Sequence, residues 1–532
     1  MRRKTTTIEA RHWALLALIF SLAACRGDVS PSAQLPRDQQ IVVSVPVALQ
    51  GPLDPRLNTR AWTGKVIQLM FEGVTTVANP QSVAEPALAA RIEQPSPEIY
   101  DIYLRPEAKF HDGTDVTAED VAATWRSTQN KALKSPLKGY YERVKDIEIL
   151  GPKHLKVTLD GPHSTFLSDM SMGIVPARLI GPDGKLTAPV GAGPYQLHAR
   201  SGEQEIVLAR SGHYHRGQPA SPYLTFRAIA DQNTRLLALL GGSVDVIQNA
   251  VSPVLADAMA KRPGVAVDHS AGVAYAYLGF NLRHPPLDDI RVRQAIAYAL
   301  DRDRLITHKF KGMAQAATGM LAEGHWAYSD EIQRYPLDRG KARALLDAAG
   351  FPRPADGGPR LRLTWTTSTD KFRRNIVELL ADDLKHVGVE VKVQAFELGT
   401  LLADIKSGNF QMVSLMWSDP SEPHMYDWIF HSGRIPTADA PNRGGNRGAY
   451  RNPEVDRLIE AGRVAGRPEA RRPFYVQIQS ILAEELPYIS LWHEDVVVVR
   501  RSEVTGFTVL PNNSMFGLWQ ARRVGDRDEP DP

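Results

Sequence analysis

Apolar residues recur along the chain with two alternating periods. A period of three and four residues gives one apolar helix face around Ile296, formed by Val292, Ala295, Ile296, Ala299 and Leu300. A period of two follows further on, where Val389, Val391 and Val393 alternate with polar residues as in a half-buried strand. Because helices and strands of these kinds follow one another along the chain, the pattern predicts the α/β class.

The densest local signals lie in residues 100–125. Apolar and polar positions alternate over 100–104 and predict a strand, and Gly113 follows in a turn where positive φ is easily adopted. Thr117 stands three residues before Asp120, the spacing of a hydroxyl that caps a helix and a carboxylate that favours its first turn. The sequence therefore predicts a strand, a turn and a capped helix in this order.

Cap and stop signals predict further elements. A helix over 341–349 should begin after Asp338 and end at Gly350, and Asn452 with Pro453 should open another. Strands are predicted at 41–45, 224–228, 244–247, 412–417 and 496–499.

The amino-terminal segment carries the single cysteine of the chain, Cys25. A charged start precedes an apolar run over 13–24 that is too short to span a bilayer, and Leu22, Ala23 and Ala24 stand directly before the cysteine. The segment resembles a bacterial lipoprotein signal, which implies removal of residues 1–24, acylation of Cys25 and a polar tether over 25–38. The alternative is a buried cysteine in a hydrophobic segment without that role.

Charge and length limit the possible functions and the number of domains. The chain of 532 residues has 63 Lys and Arg against 60 Asp and Glu, and residues 1–24 hold four of the basic and one of the acidic side chains. The remainder is formally neutral and has no dense basic run, so nucleic-acid binding is not expected. The length predicts two or three domains, and no second cysteine is present for a disulfide.

Short motifs extend over nearly the whole chain after residue 50. They are Leu53-Asp54-Pro55, Glu85-Pro86-Ala87-Leu88-Ala89, Leu104-Arg105-Pro106, Phe110-His111-Asp112-Gly113, Thr117-Ala118-Glu119-Asp120-Val121, Gly191-Ala192-Gly193-Pro194-Tyr195, Phe280-Asn281, Pro286-Leu287-Asp288-Asp289, Arg291-Val292-Arg293-Gln294-Ala295 and Asn452-Pro453-Glu454-Val455-Asp456. In this order they resemble the family 5 extracellular solute-binding proteins, the dipeptide and oligopeptide binders of ABC importers.

The resemblance implies a two-lobed periplasmic binding protein fold of type II, in its large three-domain variant, with a hinge and a central ligand cleft. Lobe I would comprise 36–62, 192–272 and 500–525, the embedded domain 63–191, and lobe II 273–499. The chain would cross between the lobes near 273–281 and near 497–504. Two crossings make a hinge that a ligand can close.

The function implied is capture of a peptide in the cleft and its delivery to a membrane permease with its ATPase subunits. The protein would act as a monomer without cofactor or metal, in the periplasm, held to the membrane by its lipid. An enzyme is not expected, because the sequence has no Gly-x-Ser-x-Gly, no His-Glu-x-x-His and no Gly-Lys-Ser/Thr motif.

Within this resemblance, Asp419 shortly after Trp417 corresponds to the aspartate that pairs with the α-ammonium of a peptide. The alternative is an aspartate that caps the turn after a strand. Further aromatic candidates for the cleft are Tyr275, Trp365 and Tyr426, each of which could instead belong to the core.

One expected feature is missing. Peptide binders of this type carry an arginine before the helix that contains Ile376, but Thr366-Thr367-Ser368-Thr369 stands there, and Arg373 and Arg374 come later. Longer peptides or a ligand that is not a peptide therefore stay open. His213 and His215 stand two residues apart, and a metal site there would need further ligands. His424 and His431 near the cleft keep a nickel chelate among the alternatives. A sensor and a chaperone not coupled to import are alternatives as well.

Overall fold

One large sheet organises the fold, and its strands come from distant parts of the chain. The computed structural model describes residues 30–79, 83–420 and 422–524, so Cys25 and the predicted signal segment lie outside the described residues. The strands are β1 Gln40–Val45, β2 Thr75–Thr76, β3 Glu85–Pro86, β4 Ala89–Ser96, β5 Ile99–Leu104, β6 Val144–Gly151, β7 His154–Leu159, β8 Tyr195–Ser201, β9 Glu205–Arg210, β10 Tyr223–Ala228, β11 Val246–Gln248, β12 Val265–Phe280, β13 Ala314–Ala316, β14 Leu361–Ser368, β15 Val389–Phe396, β16 Met412–Trp417, β17 Tyr488–Arg501, β18 Val504–Thr505 and β19 Arg522–Arg523.

Helices alternate with these strands, so the predicted α/β class is confirmed. They are α1 Ala61–Met70, α2 Ala118–Thr128, α3 Lys138–Tyr141, α4 Phe166–Asp169, α5 Gln232–Leu240, α6 Pro253–Met259, α7 Ile290–Ala299, α8 Arg302–His308, α9 Arg339–Ala348, α10 Lys371–Lys385, α11 Leu398–Ser407, α12 Met425–Phe430, α13 Pro453–Val464 and α14 Pro468–Glu485. Among the described residues, none of the helices is both long and apolar enough to cross a bilayer.

The large sheet passes through both lobes without interruption. Its strand order is β15-β14-β16-β12-β17-β11-β1-β10-β9-β8, and β13 pairs with β17. The long antiparallel pair β12 and β17 therefore belongs to both halves. Its pairing shifts register between Ser270 and Ala274, opposite Glu494 and Val496. We call the edge of lobe II next to this shift its hinge end.

Separate hydrophobic cores lie on the two sides of that shift. Val267 and Val499 pack with α5 and α6 of lobe I, whereas Ala276 and Trp492 pack with α7, α9 and α10 of lobe II. The fold is thus two-lobed, with the same two strands contributing to a core in each lobe.

A smaller four-stranded sheet, β4-β5-β7-β6, forms the centre of the embedded domain. Its apolar face packs on α2 through Trp125, with Phe166 and Tyr141 against the same ring. The predicted capping box is present, because Thr117 Oγ1 accepts from the Asp120 backbone and Asp120 Oδ2 accepts from the Thr117 backbone. Both bonds fix the first turn of α2.

The glycines of the turn 191–195 allow it to lie directly against the end of α1. A Cβ on Gly191 would lie 2.1 Å from the Met70 carbonyl oxygen, and one on Gly193 would lie 2.5 Å from that of Leu69. The turn is therefore structural, as predicted, and it fixes α1 in lobe I.

Residues 30–38, which the sequence assigns to a tether, lie against lobe I in short 3-10 turns. Ser32 donates to Glu205 through its backbone and its hydroxyl, and Arg37 Nη2 lies 2.6 Å from Asp245 Oδ1. Both acceptors are buried, which explains why this polar, proline-containing segment is held.

Candidate ligand-binding cleft

Two of the predicted site residues emerge at the hinge end of lobe II. β16 is antiparallel to β12 and pairs Trp417 with Tyr275, so the carboxyl end of β16 lies beside the crossing between the lobes. Asp419 follows in the loop and is exposed. The topology therefore brings the carboxylate of Asp419 to the edge of lobe II that meets lobe I.

Trp417 stacks on Tyr277 with 6.3 Å between the ring centroids. The Arg447 guanidinium lies 5.8 Å from the centre of the Trp417 ring. Its indole Nε1 is buried and has no hydrogen-bond partner among the described residues. A buried donor of this kind is uncommon in a native structure, and it suits a position that a ligand completes.

Lys65, on α1, is a further candidate that the sequence did not indicate. The predicted embedded domain begins at 63, but α1 packs in the core of lobe I. Lys65 lies on α1, is 9% exposed, and has its Nζ 4.4 Å from the centre of the Trp62 ring. Burial lowers the pKa of Lys65 to about 7, and the charge of Asp419 acts in the opposite direction. The charge of Asp419, in the loop after β16, therefore acts on the ammonium of Lys65 on α1.

The signal that could have identified Lys65 is its place on α1. Lys65 stands one helical turn before Leu69, whose side chain is fully buried. A lysine on the buried face of a helix is unusual and indicates that a partner or a ligand contacts it.

A second feature of the hinge end is a cavity of about 170 Å³ beside the start of α10. Thr367, Arg373, Ser414 and Glu494 are among the residues that line it. Burial raises the pKa of Glu494, and the charge of Arg373 opposes that rise. The guanidinium of Arg373, in the first turn of α10, therefore lines this cavity together with the carboxylate of Glu494.

The other aromatic candidates lie deeper. Trp365 is fully buried, donates from Nε1 to Ser414 Oγ at 2.8 Å, and serves the core of lobe II. Tyr275 and Tyr426 line a different cavity of about 310 Å³ inside lobe II. Tyr275 bonds Ser490 there, whereas the Tyr426 hydroxyl has no hydrogen-bond partner among the described residues. Trp365 thus belongs to the core, whereas Tyr275 and Tyr426 line an internal cavity that Asp419 does not line.

Contacts between the embedded domain and lobe II meet at Glu422. Its carboxylate accepts from Arg471 Nη2 at 2.6 Å and from Ser168 Oγ at 3.4 Å, while Arg471 Nη1 donates to the Ser164 carbonyl at 3.3 Å. Burial alone would lower the pKa of Arg471, but the charge of Glu422 raises it. We call Glu422, Arg471, Ser164 and Ser168 the interdomain bridge.

A partly buried histidine, His424, lies beside the interdomain bridge. Burial, with the charges of His163, Arg471 and Arg463, lowers the pKa of His424 to about 4, against the attraction of Asp427. Across the contact, His163 Nε2 lies 2.8 Å from Asp169 Oδ2. The contact between the embedded domain and lobe II therefore disfavours protonation of His424.

The histidine pairs considered for a metal are separated. His213 and His215 lie in a loop, where His215 Nε2 is 2.6 Å from Glu72 Oε2 and His213 lies next to Gly113. His431 Nε2 lies 3.3 Å from Glu460. Within the described ranges, no group of three or more His, Cys, Asp or Glu side chains could hold a metal ion.

Comparison with known proteins agrees with the two-lobed fold. The model of the bacterial extracellular solute-binding proteins, family 5, matches residues 83–436. The chain belongs to this family.

Three relatives illustrate the likeness. The probable di/tripeptide-binding protein 5 of Pseudomonas aeruginosa is 29% identical over 72% of each chain. The glutathione-binding protein GsiB of Salmonella paratyphi A is 28% identical over 78% of this chain and 81% of its own length. The crystal structure of NikA from Brucella suis in complex with Fe(III)-EDTA has a TM-score of 0.79 at 25% identity, covering 90% of this chain and 99% of NikA.

Proposed function

We propose that this family 5 protein captures peptides between its lobes and delivers them unchanged to the permease of an ABC importer. The observation that carries the proposal is the exposed Asp419 carboxylate at the hinge end, next to lobe I. A peptide's α-ammonium there would make a charge-assisted hydrogen bond, the kind that fixes orientation in a partly dry site. The names of the Pseudomonas and Salmonella relatives support a peptide ligand.

Closure follows from how the lobes are joined. β12 and β17 connect them, and a ligand held by both lobes favours the closed form over the open one. The interdomain bridge adds contacts that exist only when the embedded domain meets lobe II. The permease can then recognise the closed shape instead of each ligand's chemistry.

The Arg373 cavity is proposed as the place where a ligand carboxylate or an acidic side chain is received. Its guanidinium stands in the first turn of α10, where Asp370 caps the helix. Because this arginine lies after the cap and not before it, a clamp adapted to dipeptides alone is not expected, and longer peptides fit better.

A chelated metal is the second candidate. Lys65 and Arg373 are basic side chains, and basic groups at the cleft would suit a chelator rich in carboxylates. The Brucella suis relative holds Fe(III)-EDTA in its crystal structure. Such a ligand would bring its metal with it and would need no metal-binding cluster in the protein.

We further propose that Cys25 is acylated after removal of residues 1–24 and holds the protein at the periplasmic face of a membrane, where it acts as a monomer without cofactor or catalysis. Two acyl chains or more anchor a protein stably, at about 0.8 kcal/mol for each buried methylene. Replacement of Cys25 by serine should release the protein into the soluble fraction, and retention of that variant in the membrane would contradict the anchor.

The ligand class is tested with a chain that begins at residue 26 and keeps every described residue. Peptides of two to nine residues and nickel–histidine chelates are titrated by calorimetry and thermal shift, and closure is followed by small-angle scattering. A ligand at 100 times its dissociation constant should stabilise the protein by about 2.7 kcal/mol. Response to chelates alone would favour the second candidate, and conversion of a bound peptide to products would contradict a binding protein.

A further inference from the structure

The segment over 30–39 is bonded to lobe I at its start, although the sequence assigns most of it to a tether. The buried carboxylate of Glu205, on β9, accepts from the Ser30 hydroxyl, from the Ser32 backbone at 3.1 Å and from the Ser32 hydroxyl at 2.9 Å. Arg227, on β10, donates to the same carboxylate at 3.0 Å and to Ser32 Oγ at 2.8 Å. Burial would raise the pKa of Glu205, but these hydrogen bonds lower it, so the acceptor stays ionised. Hydrogen bonds to an ionised acceptor are the stronger kind, and here they fix the chain at Ser30.

Further bonds hold the segment where it approaches β1. Arg37 donates through Nη2 to the Gly242 carbonyl at 2.8 Å and to Asp245 Oδ1 at 2.6 Å, and Asp245 is fully buried. The side-chain amide of Gln40, the first residue of β1, donates to the Ser32 carbonyl at 3.1 Å. All of these partners belong to lobe I, so the segment forms part of that lobe instead of a free tether.

The segment lies on one particular face of the lobe I sheet. Phe226 of β10 packs into the core of lobe I, so its neighbour Arg227 lies on the opposite face, where β9 pairs it with Glu205. We call this face, with residues 30–39 on it, the outer face. Exposed side chains of the segment include Gln34 and Asp38, and burying such polar groups among acyl chains would be costly. The outer face therefore suits contact with lipid headgroups and not insertion into the acyl region.

Only a short stretch of chain separates Ser30 from Cys25. An extended chain covers at most about 3.3–3.6 Å per residue, so the stretch from Cys25 to Ser30 spans about 18 Å at most. A tether that was free as far as Gln40 would span about 50 Å. With an acyl group on Cys25 in the membrane, the bonds at Ser30 thus keep the outer face within about 18 Å of the lipid headgroups.

We propose that the outer face of lobe I lies on the membrane surface in one fixed orientation, held there by the acyl group of Cys25 and by the bonds of Ser30, Ser32 and Arg37. The partner of this face is the layer of lipid headgroups. Lobe I is then the half whose position at the membrane is set, and lobe II is joined to it through β12 and β17. This inference rests on the acylation of Cys25 proposed above and goes beyond ligand capture.

The first experiment tests whether the segment is held, with the chain that begins at residue 26. Trypsin cleaves after Arg37 only while the surrounding segment is detached from lobe I. Ser30→Ala combined with Ser32→Ala removes two hydroxyls and leaves Glu205 with its arginine. Cleavage after Arg37 should be at least about tenfold faster in this variant than in the wild type, because the detached form is more populated. Ser407→Ala, at an exposed serine of α11, is the control that should leave the rate unchanged, and melting temperatures check folding.

The second experiment uses the acylated full chain in bilayer nanodiscs with acceptor-labelled lipids. Because the acylated Cys25 has no free thiol, an introduced cysteine is the only site for a donor dye. Gln204→Cys places the dye beside Glu205 on lobe I, and Lys406→Cys places it on lobe II, and both positions are exposed. Energy transfer to the lipids should be stronger from position 204 than from position 406.

A ten-residue Gly/Ser insert between residues 29 and 30 keeps every described residue and adds about 17 Å of reach. It should lower energy transfer from position 204 at least about twofold, because lobe I is then free to leave the membrane surface. The same insert between Gly357 and Gly358, in a turn of lobe II, is the matched control and should leave that transfer unchanged.

Equal energy transfer with and without the insert at 29–30, or cleavage after Arg37 as fast in the wild type as in the serine variant, overturns the inference. If the acyl group is found by mass spectrometry and the insert has no effect, the inference fails while the proposed anchor and ligand capture stand. If the mature chain carries no acyl group, the proposed anchor and this inference fail together.

Discussion

His269 Nδ1 lies 2.7 Å from Asp495 Oδ2, and this contact joins β12 to β17 where the two strands cross between the lobes. Asp495 is buried, whereas the His269 side chain is 46% exposed. Burial raises the pKa of Asp495, and the hydrogen bond and charge of His269 oppose the rise. The hinge thus contains a buried acid with one partly solvated partner.

Replacing His269 by alanine should destabilise the protein by about 1 kcal/mol, because a buried carboxylate loses its partner. With its pKa raised further, Asp495 takes up a proton more readily, so the deficit should be larger at pH 7 than at pH 4. Urea midpoints at the two pH values measure this. A double variant with Asp495→Asn should recover part of the loss, and an equal deficit at both pH values would contradict the explanation.

Glu422→Gln should weaken the interdomain bridge and shift the protein towards the open form. Arg471 is buried and would lose its ionised partner, which costs about 1–3 kcal/mol. We expect a larger radius of gyration without ligand and peptide binding weakened by about threefold to tenfold. Glu454→Gln is the matched control, since Glu454 pairs with Arg457 on the exposed face of α13. Equal scattering profiles for both variants would show that the bridge does not hold closure.

Acid should destabilise the folded protein through His424. Its pKa is about 4 in the folded state against an unfolded value near 6.5, so the folded protein binds fewer protons in between, and stability falls as pH drops from about 6.5 towards 4. His424→Gln should lessen this fall by about 1 kcal/mol at pH 5, after allowance for partial solvent exposure. The exposed His386 provides the control variant, His386→Gln. Parallel pH profiles for wild type and His424→Gln would contradict the assignment.

Asp419→Asn should weaken peptides with a free amino terminus by at least about tenfold, because the amide carries no charge to attract the ammonium. N-acetylated forms of the same peptides should lose much less. Calorimetry on matched free and acetylated pairs measures the difference, with Asp382→Asn on α10 as control. Equal losses for both forms would remove Asp419 from the proposed contact.

Local signals in the sequence were sufficient where the determinants lie close together. The caps at Thr117, Asp338 and Asn452 are present in the structure, and strand β16 has the predicted bounds. Each depends on residues within a few positions of one another, where spacing alone carries the information.

Features that depend on distant partners were not predictable in this way. The run of four valines at 496–499 identified only part of β17, which continues into lobe II and extends from Tyr488 to Arg501. The charge that acts on Lys65 comes from Asp419, and Arg471 donates to Ser164 of the embedded domain. Each partner is several hundred residues away in the sequence. Trp365 could be assigned to the core only once its contact with Ser414 was known.

The placement of β17 also determines when lobe I can be completed. This strand lies between β11 and β12 in the sheet, yet it is nearly the last strand to be synthesised. Until it arrives, β11 and β12 have no common neighbour, and Asp245 has not yet met Arg523. Lobe I therefore cannot finish folding while the chain is still emerging, and such late pairing between distant segments is intrinsically slow. The central strand of the sheet is thus supplied only after nearly all of the chain has been made.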